Sequence, residues 1–94
     1  MERKSKLNSS QKATLDQIFE DPLRSNVPWA NIENLFLALG GRVSEGDGSR
    51  VRVFLNDVIA IFHRPHPQKE TDKGALKSVR RFLIQAGVKD HEHH

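Results

Sequence analysis

The sequence predicts an α+β fold in which helices cover one face of a small three-stranded antiparallel sheet. Three stretches carry apolar residues at helical steps of three and four, and between the second and third the period drops to two. With 94 residues, the chain has enough material for one domain around one core and little for a second.

The first helix has Ser9 or Ser10 as its candidate cap, Leu15, Ile18 and Phe19 as its apolar side, and Pro22 as its stop. Arg24, Ser25 and Asn26 read as a loop. A second helix follows Pro28, where Trp29, Ile32, Leu35, Phe36 and Leu39 form a stripe that Gly40 and Gly41 close. A large aromatic on such a stripe is ordinarily packed in the core, so Trp29 is read as packing rather than as a stacking platform for a ligand.

Beyond the glycines, residues 42–45 suit a short strand, and Gly46, Asp47 and Gly48 suit a turn. Residues 50–55 then alternate, Asn56 and Asp57 fit a two-residue hairpin loop, and residues 58–62 return as the third strand. That loop fixes the register: Leu55 opposite Val58, Val53 opposite Ala60, Val51 opposite Phe62 and Arg50 opposite His63. Val51, Val53, Leu55, Val58, Ala60 and Phe62 then face the helices. Arg50, Arg52, Phe54, Ile59, Ile61 and His63 share the other side. A nucleic-acid partner or a protein partner could use this mixed apolar and cationic surface, or loops could cover it.

Residues 64–67 read Arg-Pro-His-Pro, an extended loop, because each proline disfavours helix in the residue before it. The last helix starts at Lys73 or Gly74, with Thr71 or Asp72 as cap, and runs to Ala86. Leu76, Val79, Phe82, Leu83 and Ala86 form its buried side, Lys77, Arg80 and Arg81 its polar side, and Gly87 its stop.

Fifteen basic and twelve acidic side chains give a net charge of +3, but the excess is local: residues 1–41 hold five of each, whereas residues 42–89 hold ten basic and five acidic. A polyanion would be steered to the second half. The chain has no cysteine, which removes disulfides, thiolate nucleophiles and Cys-ligated zinc. There is no apolar run of transmembrane length, and the charged, polar start does not resemble a signal peptide, so a cytoplasmic protein is expected, with no membrane partner.

No P-loop, nucleophile elbow, His-Glu-x-x-His helix or credible carboxylate pair is present, so hydrolysis would fall to histidine. His63 and His66 flank a rigid Arg64-Pro65 step and can reach one surface. An imidazole can exchange a proton with a ribose 2′-hydroxyl or a leaving 5′-oxygen while arginines stabilise the phosphorane, with no metal and no small-molecule cofactor. The residues alone leave open that these are surface histidines without a role. A metal site would need a third ligand that the vicinity does not offer. The tail His91, His93 and His94 is set aside as solvated or adventitious. Arg50, Arg52, Arg64, Lys69, Lys73, Lys77, Arg80 and Arg81 offer phosphate contacts, or form a solvated charged face.

Trp29-x-x-Ile32-x-x-Leu35 leading to Leu39-Gly40-Gly41, then Gly46-x-Gly48-Ser49, Pro65-His66, Lys69-Glu70, Gly74-x-Leu76 and Ala86-Gly87 resemble, in order and spacing, the HicA family of bacterial toxins. The resemblance covers residues 29–88. It leaves residues 1–28 as an added N-terminal helix and linker and residues 89–94 as a disordered tail. It implies a fold like that of double-stranded RNA-binding domains, α-β-β-β-α, ribonuclease activity on mRNA, and neutralisation by a HicB-like antitoxin. Gly46, Gly48 and Ser49 would form the structural turn.

In the family pattern this turn is followed by the histidine regarded as catalytic, and here that position is Arg50. A guanidinium stays protonated and cannot act as a general base. The expectation is therefore that His63, across the hairpin from Arg50, does the acid-base work with His66 in support. Arg50, Arg52, Arg64, Lys69 and Lys73 would bind RNA.

Overall fold

The computed structural model describes residues 7–23, 26–64 and 70–88. The first helix, α1 (Ser9–Ile18), is capped by Asn8, one residue before the serines that suited the role. The Asn8 side chain accepts from the Gln11 amide at 2.8 Å, and Gln11 returns a bond to the Asn8 amide at 3.0 Å. This reciprocal pair satisfies two of the amides a helix start leaves over, which a lone serine would not. The helix closes at Phe19, ahead of Pro22.

A two-residue strand that the sequence pattern does not announce, β1 (Val27–Pro28), leads directly into α2 (Trp29–Ala38). Gly40 then turns the chain at a φ of 94°. Gly41 passes so close to the sheet that an added Cβ would lie 3.0 Å from the Phe36 carbonyl oxygen and 3.1 Å from that of Phe54. A side chain here would push β2 off its neighbour, so this glycine is required for approach rather than for turning.

The sheet contains β2 (Arg42–Glu45), β3 (Arg50–Leu55) and β4 (Val58–His63), all antiparallel in the order β2-β3-β4. Asn56 and Asp57 take φ values of 51° and 69°, the left-handed pair that a two-residue hairpin loop demands. With the loop so fixed, the register is the expected one, from Leu55 opposite Val58 to Arg50 opposite His63. The segment β5 (Glu70–Thr71) pairs with β1 in a separate two-stranded ribbon before α3 (Lys73–Gln85), which Asp72 caps through the Ala75 amide at 2.8 Å.

All three helices contribute to one core on the inner side of the sheet. Ile18, Ile32, Leu35, Phe36, Val51, Val53, Leu76, Val79 and Leu83 are fully buried there. At its centre the Trp29, Phe36, Phe62 and Phe82 rings meet with centroids 5.6–6.5 Å apart, mostly edge to face. The fold is thus the expected α+β arrangement, with three helices over one three-stranded sheet, consistent with the double-stranded RNA-binding-domain class.

Two ties join separate parts of the chain. The Asn56 side chain donates to the Ala86 carbonyl at 2.8 Å, so the hairpin tip holds the end of α3. Arg80, placed by sequence on a polar side, instead folds back: its guanidinium donates to the Ile18 carbonyl at 2.9 Å and the Glu20 carbonyl at 2.9 Å, and lies over the Phe19 ring. A cation on the spare carbonyls at the end of α1 is favoured by both hydrogen bonding and the helix dipole.

Asn56→Ala forfeits the left-handed preference and the bond to Ala86, and urea titration should show a loss of about 1–2 kcal/mol. Asp57→Gly removes strain at a positive φ without losing packing and should gain up to about 1 kcal/mol in the same assay.

Candidate nucleic-acid interface

The outward positions of the sheet carry Arg42 and Ser44 on β2, Arg50, Arg52 and Phe54 on β3, and Ile59, Ile61 and His63 on β4. None is a carboxylate. All eight are exposed, with Phe54 at 40%, Ile61 at 56% and Ile59 at 59%. Strand pairing arranges them in rows: Arg50 beside His63, then Ser44, Arg52 and Ile61, then Arg42, Phe54 and Ile59.

The Arg50 and His63 pair is set close by the ladder itself. The Arg64 amide donates to the Ser49 carbonyl at 2.7 Å, which makes 49 and 64 a hydrogen-bonded pair and 50 and 63 the non-hydrogen-bonded pair next to it. In that kind of pair the α-carbons approach to about 4.5 Å and side chains stand side by side. A guanidinium and an imidazole are thereby presented together at the sheet's end. Gly46, Gly48 and Ser49 supply the turn at this end, with Gly48 at a φ of 61° and the Gly46 amide donating to the Arg50 carbonyl at 2.8 Å.

Arg64 has other partners. Its Nε donates to Glu33 Oε2 at 2.8 Å, Nη2 to Glu33 Oε1 at 3.3 Å, and Nη1 to Glu45 at 3.1 Å. The Glu33 carboxylate, supported by Glu45 and opposed by partial burial, holds the guanidinium above its ordinary pKa. The same carboxylate accepts the Trp29 indole N–H. Arg64 therefore anchors the exit of β4 to α2, and its charge is largely balanced by carboxylates. Arg50 and Arg52 are exposed and line a shallow pocket with Glu45, Asp47 and Ile61, while Lys73, also exposed, stands at the start of α3 in the helical layer rather than on the sheet face.

His66 and Lys69 lie outside the described residues, as do Pro65, Pro67 and the tail 89–94. Among the described residues, no group of three or more His, Asp or Glu side chains could hold a metal ion, and no helix is long and apolar enough to cross a membrane. Two residues of the site were beyond sequence reasoning. Arg42 joins the face only through the β2–β3 register, for which no tight two-residue loop gave a signal. Glu33 meets Arg64 across 31 positions of chain, and nothing local foretells it.

Glu33→Ala leaves the Trp29 N–H without its acceptor and the Arg64 guanidinium with Glu45 alone. Chemical denaturation should show a loss of about 1–2 kcal/mol, against about 1 kcal/mol or less for Glu45→Ala at the exposed end of the same network.

Comparison with known proteins agrees with this geometry. The family model for the HicA toxin of bacterial toxin-antitoxin systems matches residues 29–88, from the start of α2 to just past the end of α3. No curated protein and no solved structure matches the chain. The matched span includes the whole sheet and well over half of the 94 residues, so the chain belongs to the HicA toxin family, the toxin half of bacterial toxin-antitoxin pairs, which implies a cognate antitoxin.

Proposed function

We propose that this toxin is an mRNA-cleaving endoribonuclease that acts in the cytoplasm, needs no metal, and is neutralised by a HicB-like antitoxin. The observation that carries the reading is the cross-strand pair of Arg50 and His63 on the exposed sheet face, whose outward strand positions hold arginines and no acidic residue, although Glu45 and Asp47 border it beside Arg50. His63 takes the proton of a ribose 2′-hydroxyl as that oxygen attacks the adjacent phosphorus. The bond to the 5′-oxygen then breaks, and that oxygen receives a proton from an imidazole, with His66 as the second proton carrier. Arg50 faces the phosphorane oxygens and offsets the charge that grows on them. Arg52 and Lys69 bind flanking phosphates, with Lys73 reaching them from the helical layer. Arg64, paired to Glu33 and Glu45, orients the chain that carries His63.

Arginine at the family's usual histidine position also supports a second reading, an RNA-binding protein of the same fold without cleavage. It predicts salt-sensitive RNA binding with no product.

Induced expression should arrest growth and degrade transcripts, and His63→Ala should lower cleavage of a purified transcript by about 10²–10⁴-fold while the fold stays intact by circular dichroism. Undiminished cleavage by His63→Ala would sink the assignment of that residue. RNA retained without cleavage by the unaltered chain would favour the second reading.

Cleavage should persist unchanged in excess EDTA and fall as salt rises, and Arg50→Ala should reduce both the rate and the salt slope. A rate abolished by the chelator and restored by a divalent cation would contradict the metal-independent mechanism.

A further inference from the structure

Beyond the Arg50 and His63 row, the sheet face ends in a depression of about 610 Å³ whose lining includes Leu37, Arg42, Arg52, Phe54 and Ile59. Its lining is mostly apolar, with Leu37 54% and Ile59 59% exposed, and Arg42 and Arg52 are its cationic members. Phe54 stands between Arg42 on one side of the ladder and Ile59 on the other. The acid-base chemistry proposed above uses none of these three side chains.

We propose that this depression is a nucleobase-stacking subsite for single-stranded RNA, with the base against Phe54 and the phosphates beside it held by Arg42 and Arg52. The proposal rests on the RNA-directed reading of the same face and adds the strandedness of the substrate. An exposed phenyl ring offers a π-face to any unstacked base, and a guanidinium alongside can both stack and meet phosphate. A duplex keeps its bases stacked on one another and has none to offer.

An acidic peptide would satisfy the charge but not the geometry. Main-chain groups give peptide-on-sheet recognition its affinity; those of β3 under Phe54 are already bonded to β2 and β4, and a peptide paired along the free edge of β2 would lie beside the Phe54 ring rather than across it. Phe54 is four residues along β3 from Arg50, about 13–14 Å at strand rise. The stacked base therefore belongs to a nucleotide other than those at the cut, and the subsite acts on substrate binding rather than on the chemical step.

The test measures binding of the full chain to a fluorescein-labelled 2′-O-methyl RNA decamer, which cannot be cut, at low salt. The expected result is about tenfold weaker binding by Phe54→Ala and near-unaltered binding by Phe54→Trp, with circular dichroism unchanged since the ring is exposed. An abasic decamer at the stacked position should bind the unaltered chain about as weakly as Phe54→Ala binds the full decamer, and the two losses should not add. The duplex decamer should bind less well and be indifferent to Phe54→Ala.

Equal binding of the single strand by Phe54→Ala, or losses that add, would overturn the subsite while leaving the RNA-directed function standing. No binding of either RNA by the unaltered chain would overturn both. A peptide of alternating glutamate and leucine that binds more tightly than the decamer, and loses its hold on Phe54→Ala, would assign the face to a protein partner and overturn the subsite.

Discussion

The two-residue loop at Asn56 and Asp57 is the constraint on which the rest depends. Both residues stand at positive φ, which confines the hairpin to one register and so decides, for every side chain of β3 and β4, whether it meets core or water. A slip by one position would turn Val51, Val53 and Leu55 outward and bury two arginines and a phenylalanine in their place. The cost of burying unpaired guanidinium groups makes that alternative untenable, so the polar face defends the core's geometry as much as the core defends the face. The Asn56 side chain extends the constraint to α3 by holding the Ala86 carbonyl.

Below the sheet, the four aromatic rings of Trp29, Phe36, Phe62 and Phe82 bring together α2, β4 and α3, three elements separate in sequence. In a domain this small, such rings supply much of the apolar area available for burial. Among the described residues nothing covers the opposite face of the sheet, since all three helices are committed to the same side. The bare outer face is therefore a direct result of the core's economy of material.

Much of this was legible in the sequence, for identifiable reasons. The register of β3 and β4 was readable because a two-residue loop leaves one solution, and the stripes of α2 and α3 because Gly40 and Gly87 mark their ends. What escaped depended on long-range contact. The ribbon of Val27 and Pro28 with Glu70 and Thr71 is too short to show a period. The Asn8 cap was masked by adjacent serines that fit the same role. Arg80 reads as one more surface charge until α1 presents its carbonyls, and Arg64 reads as a phosphate ligand until Glu33 arrives from α2. The Arg50 and His63 pairing was readable for the same reason as the hairpin, whereas Arg42 needed the β2 register to place it.

Arg80 also bears on what counts as a unit in this chain. The family pattern begins at Trp29, yet Ile18 is fully buried in the common core, and the carbonyls of Ile18 and Glu20 are grasped by an arginine deep inside the matched span. Trimming the protein to its recognisable family segment would uncover core surface and leave a half-buried cation facing empty space. The length of chain that carries the family likeness is shorter than the length that folds as one body.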